Sequence, residues 1–194
     1  MRIGLTGLLA LLLFYACSSD KKKQAPLFDN LGTLDFQITT DSELAQRYFN
    51  QGIILAYGFN HEEAFRSFAE VARLDSNCAM AYWGMAYVLG PNINLPMDAG
   101  VVHSAYEAIQ KAISLLDNET QREKDYVMAL SKRYSAEVLE DRTPLDQAYS
   151  DAMRNLSTKY PCRFAKIISR LTKFRFMGSF GAAFSPSLVL CITT

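Results

Sequence analysis

With two histidines and four cysteines, the chain has few residues suited to bond-making chemistry, so their spacing matters. A zinc-hydrolase helix needs a second His one turn after the first; His61-Glu62-Glu63-Ala64-Phe65 offers none, so paired ligands on one helix face are missing. Adjacent Glu62 and Glu63 point in different directions, and Glu62 is expected to pair with Arg66 four residues on. His61 reads as a turn or first-turn residue, and His103, beside Val101 and Val102, as a half-buried packing residue. Cys78, Cys162 and Cys191 form no close pair and no metal-ligand spacing; Cys78 is expected to be a small packed residue. No Gly-rich phosphate loop is present, and Gly178-Ser179-Phe180-Gly181 lacks the spacing of a nucleophile elbow. The expectation is a non-enzyme with no metal and no cofactor.

The elements that must carry any site follow from composition and periodicity. Of the 194 residues 49% are hydrophobic and 21% charged, which excludes wholesale disorder. The formal net charge of zero averages unlike pieces: residues 24–161 hold 19 acids against 11 bases, whereas residues 162–194 hold five bases and no acid. An acidic middle argues against a nucleic-acid partner, which requires a basic footprint. From Asp41 onward the apolar spacing is helical. Asp41 or Ser42 caps a first helix, and Tyr57-Gly58-Phe59-Asn60 breaks it, because Gly and Asn tolerate the left-handed conformation. Glu62 and Glu63 open a second helix, ending at Asp75-Ser76-Asn77, and a third runs from about Cys78 to Leu89. After the turn Gly90–Met97 a fourth starts near Asp98. A weaker pair spans Glu119 to about Leu139 and Pro144 to Tyr160.

Tyr48-x-x-Gln51-Gly52-x-x-Leu55, Ala64-x-x-x-Phe68 and Leu74-Asp75-Ser76-Asn77 together resemble one tetratricopeptide repeat. Tyr82 and Ala86 repeat the large-then-small pair of Tyr48 and Gly52 at a period of 34 residues, and Ala105-x-x-x-Ile109-x-x-Ala112 resembles a further second-helix signature. Tyr57-Gly58-Phe59-Asn60-His61 and Gly90-Pro91-Asn92-Ile93-Asn94 look similar to bacterial repeat lipoproteins of unassigned function. The resemblance covers residues 41–161. It implies an all-α fold of antiparallel helix pairs stacked as a short right-handed solenoid without a sheet. Gly52 and Ala64 would let paired helices approach, with Phe68 filling the gap. The residue after each large signature position would line a concave surface comprising Gln46, Phe49, Ile53, Met80, Trp83 and Tyr87. Aromatic anchors suit recognition; helices buried on two sides are also apolar on two sides, so packing against neighbours is the alternative.

Ahead of the repeats, Arg2 precedes an uncharged run, Ile3 to Ala16, too short to span a bilayer but suited to a secretory leader. Its end, Phe14-Tyr15-Ala16-Cys17, resembles the lipobox of bacterial lipoproteins, which implies that Cys17 receives lipid and becomes the mature N-terminus. A leader cut without lipidation and an uncleaved anchor are the alternatives. Residues 18–40 read as a tether whose distal half, with Leu27, Phe28, Leu31, Leu34 and Phe36, packs on the domain. Residues 162–194 leave the pattern. They suit a poorly apolar membrane segment, a basic amphipathic helix, or a truncation or reading-frame change in a longer repeat protein, the last being the expectation. The functional expectation is a lipid-anchored scaffold, exported to the bacterial cell envelope and held at the outer membrane, that binds a peptide or protein partner. Surface capture of glycans through Trp83 and nearby tyrosines is the second reading.

Overall fold

Ser42 starts the first helix: its hydroxyl accepts the Ala45 N–H at 3.2 Å, and Glu43 lies at the positive end of the helix dipole. The structure, a computed structural model, describes residues 25–160 apart from Thr33, Asp35 and Ile93. Six α-helices follow in order: α1 (Glu43–Tyr57), α2 (His61–Leu74), α3 (Ala79–Leu89), α4 (Val102–Ile113), α5 (Gln121–Ser131) and α6 (Thr143–Lys159). Short 3-10 turns at Ala99–Val101 and Leu116–Asn118 precede α4 and α5. Among the described residues there is no strand, only an isolated bridge between Asn92 and Leu95, so the chain is all-helical. The expected leader with Cys17 and the segment 162–194 lie outside the described residues.

Two helix ends differ from expectation. After α1 the left-handed residue is Phe59 (φ 58°) and not Gly58 (φ −76°). Asn60 N–H bonds back to Leu55 O at 2.9 Å, and the Phe59 ring stacks near His61 at 6.2 Å, so ring contact and turn bonds together hold a conformation that β-carbons disfavour. Helix α5 stops at Ser131, well short of Leu139. Here tertiary contact overrides helix propensity: Tyr134 donates to Ala86 O and Arg133 to Pro91 O (2.6 Å), drawing the chain onto the C-terminal end of α3.

Successive helices pack on one another, and α1 also meets α3 as α3 meets α5. Helix α3 is therefore central, which is why Ala79, Met80, Ala81, Trp83, Gly84, Ala86 and Val88 are all buried. Phe68 of α2 fills the junction. A β-carbon on Gly52 of α1 would fall 2.6 Å from its ring, and one on Gly84 of α3 would fall 2.3 Å from it. The ring thus lies between two bare helix backbones, with Ala64 fully buried one turn away. Gly52→Ala should lower the stability by about 1–3 kcal/mol through overpacking, measured as an earlier denaturant midpoint at unchanged m-value.

Candidate functional site

The helices α1, α3 and α5 border a groove, and the chain fills it with its own residues 25–40. Phe36 is the anchor. Its ring is 6% exposed, lies 5.6 Å from Phe49 of α1 and 5.8 Å from Tyr126 of α5, and carries the Arg122 guanidinium over its face at 4.8 Å. Burying such a ring contributes about 1.5–3 kcal/mol, more than any single neutral hydrogen bond at about 0.5–1.5 kcal/mol.

Polar contacts from α1 hold the backbone of this strap. The Gln46 side-chain amide donates to Phe36 O (2.8 Å) and accepts from Ile38 N–H (3.0 Å). Five residues along α1, Gln51 does the same ten residues earlier in the strap, donating to Pro26 O (2.8 Å) and accepting from Phe28 N–H (2.8 Å). Each amide therefore reads the carbonyl of one residue and the N–H of the residue two positions on, the spacing of extended chain. Gln51 is 4% exposed and also donates to Ser67 Oγ at 3.0 Å, so its amide is fully used. Tyr48 O–H donates to Ala25 O at 3.1 Å, and Arg122 to Gln37 O at 2.8 Å.

Glutamate carboxylates close the far end. Glu123 accepts the Thr39 N–H (2.6 Å) and hydroxyl (2.7 Å) while completing a capping box with Thr120 at the start of α5. Burial acts to raise its pKa, but the hydrogen bonds from Thr120 and Thr39 outweigh that and hold it below the ordinary value. Glu119 beside it is buried, accepts the Ala79 N–H that opens α3 at 2.9 Å, and leaves Oε2 without a hydrogen bond. Burial, with the Glu123 charge adding to it, pushes the Glu119 carboxyl up to about 7. The two carboxyls therefore hold one proton more readily than they hold two negative charges.

Of the six residues expected to line an open concave face, Gln46 and Phe49 meet the strap, and most of the six are covered. Phe49 and Met80 are fully buried, Ile53 and Trp83 are 2% exposed, and Gln46 and Tyr87 are half-buried. The expectation of an accessible aromatic wall is corrected accordingly. Trp83 stacks on Tyr87 at 5.3 Å and lies 6.4 Å from Phe49, and its Nε1–H donates to Tyr126 O at 3.2 Å. It is core, because Phe49 of α1, Tyr126 of α5 and Tyr87 of its own helix enclose it. The tether expected over residues 18–40 is likewise packed in its described part, where Ala25, Phe36 and Ile38 are buried. Gln51, Arg122, Glu123 and Tyr126 complete the site without having been expected there. Buried Gln51 in an otherwise apolar helix stripe was the available sign; for the α5 residues there was none.

Other chemistry-bearing residues stand apart. His61 begins α2, with Nδ1 3.3 Å from Asn92 Nδ2, and burial lowers its pKa. His103 is exposed and faces Glu107 at 3.2 Å, correcting the expected packing role: it sits on the solvent side of α4, opposite Ala105, Ile109 and Ala112. Arg66 pairs with Glu63 and not with Glu62, because Glu63 is turned inward beside it and only 8% exposed. Cys78 is buried, with its thiol pushed up to about 12 by burial, a form unsuited to nucleophilic attack. Among the described residues no group of three or more His, Cys, Asp or Glu side chains is placed to hold a metal ion, and no helix is long and apolar enough to cross a membrane.

Trp83→Ala should cost about 3–5 kcal/mol, seen as a lost or greatly lowered circular-dichroism melt. The Glu119 shift gives a pH signature. Its folded value lies above the ordinary 4.5, so its contribution is complete below about pH 4.5 and is lost as pH rises through about 7. The melting temperature should therefore fall between about pH 4.5 and pH 7, and Glu119→Gln should flatten that slope; because His61 titrates equally in both proteins, the difference isolates the Glu119–Glu123 pair. No protein-family model matches the chain, and neither does any curated protein or solved structure.

Proposed function

We propose that the chain is a lipid-anchored, tetratricopeptide-like scaffold of the bacterial cell envelope that binds a peptide or protein partner, with no catalytic role of its own. One observation carries the reading: α1 holds an extended backbone through the Gln46 and Gln51 amides, beside an aromatic socket for one ring. Side-chain amides spaced to serve a carbonyl and the N–H two residues on are peptide-recognition chemistry. The helix pairing supports the repeat arrangement as well, with Phe68 between Gly52 and Gly84 as the small–large–small junction that stacked helical hairpins use. The placement in the envelope rests on the lipobox-like end at Cys17, and the outer-membrane address on Ser18, which follows it.

Glycan capture is the weaker reading, since the only Trp is buried and already stacked. Two measurements test the proposal. Cys17→Ser should abolish labelling by a fatty-acid probe and leave an unprocessed or soluble form; labelling that persists in the variant would remove the anchor. A pull-down from envelope extract, run beside a glycan array, should return protein partners and no sugars, and the reverse result would transfer the function to the second reading.

A further inference from the structure

The way residues 25–40 sit in the groove carries a consequence for how it is used. Most of the polar contacts they make are to their backbone, and of the described strap residues only Ala25, Phe36 and Ile38 are buried. Open surface pockets flank it: one of about 280 Å³ runs along Leu31 and Leu34 of the strap and Asn50 and Ile54 of α1, and one of about 470 Å³ opens at Thr39 and Thr40 beside Asp75 and Glu119. Segments with few buried contacts open first. The helix side of the groove is different. Phe49, Trp83 and Gln51 are rigidly buried, and removal of the strap would leave the Gln51 amide without its backbone partners in a largely apolar setting, a state that costs more than exchange for another strand. An emptied groove therefore favours a replacement with the same hydrogen-bonding spacing.

We infer that residues 25–40 are an intramolecular ligand closing a peptide-recognition groove, displaced by an extended partner segment that supplies an aromatic residue, an aliphatic residue two positions on, and a hydroxyl residue directly after it. The pattern is that of Phe36-Gln37-Ile38-Thr39: the ring enters the socket of Phe49 and Tyr126, Gln46 takes the backbone of the first and third residues, and Glu123 takes the N–H and hydroxyl of the fourth. The inference rests on the peptide-scaffold reading and adds its regulation: the free protein is closed, and its affinity for a partner is reduced by the fraction of time the strap occupies the site.

The test uses the purified full chain in detergent and a fluorescein-labelled synthetic peptide with the sequence of residues 25–40, read by fluorescence anisotropy. Phe36→Ala in the chain loosens the internal competitor, so the peptide should bind this variant at least about tenfold more tightly than the unmodified chain. The same peptide carrying Phe36→Ala should bind neither. Equal, negligible binding to both chains, with Phe36→Ala still helical by circular dichroism, overturns the inference. Hydrogen exchange on the unmodified chain decides the matter even where Phe36→Ala fails to fold. Amides of residues 36–40 should exchange at least about tenfold faster than those around Gly52 and Trp83; exchange at the core rate makes the strap a permanent part of the fold and ends the proposal. An unmodified chain that runs as a dimer which the peptide does not dissociate also ends it, because the strap would then belong to an exchanged pair. Peptide exchange without any envelope partner in the pull-down sinks the envelope function and leaves the groove intact; captured partners without peptide exchange sink only the self-closing groove.

Discussion

The close approach of α1, α2 and α3 around the Phe68 ring is the constraint on which the rest depends. With no side chain at Gly52 or Gly84, a planar ring can lie directly on two helix backbones, and the three axes are drawn together. Phe49 then meets Phe68 at 5.5 Å on one side and Trp83 at 6.4 Å on the other, so the aromatic contacts run without interruption from the α2 face to the groove. Tilted rings of this kind add to the area they bury. The groove is as wide as one further ring because these three side chains set the separation of its walls, and Phe36 takes that place.

The surface on which recognition is proposed is one that folding already uses. Among the described residues, inner positions of α1 and α5 are covered by the chain's own residues 25–40. The segment needs polar contacts, since an extended backbone away from a sheet has unserved N–H and C=O groups. Gln46, Gln51, Tyr48, Arg122 and Glu123 supply them from two helices that are distant in sequence. Glu123 serves twice, as helix cap and as strap receptor, so the start of α5 and the end of the strap are ordered together. Glu119 adds a charge balance to that joint, tying the start of α3 to the same pair of carboxyls.

Much of the helical framework was legible along the chain. Periodic apolar positions, Ser42 as a cap, the paired acids at 62 and 63, and Ala105, Ile109 and Ala112 mark helices by local rules that need no knowledge of neighbours. The junction residues Gly52, Ala64 and Phe68 were equally readable, because two small residues and a large one at fixed spacing have few uses other than close packing; Gly84, the other wall of the Phe68 ring, was not. What those signals express is local sterics and burial periodicity, both of which act over a few residues.

Tertiary structure decided which apolar faces remain open. Periodicity places Phe49, Met80 and Trp83 on one side of their helices, yet it cannot tell a free wall from one already covered, since both require the same residues. The covering pieces lie elsewhere in the chain: Tyr126 covers Trp83 from 43 residues away, and Phe36 covers Phe49 on a segment seated by hydrogen bonds from Gln46 and Gln51 that leave no trace in hydropathy. The early end of α5 and the inward turn of Glu63 have the same origin: contacts across the fold outweigh local preferences of a few tenths of a kcal/mol per residue. A sequence alone determines where helices form and which residues permit close approach; only the assembled chain determines that its own strap fills the groove those helices make.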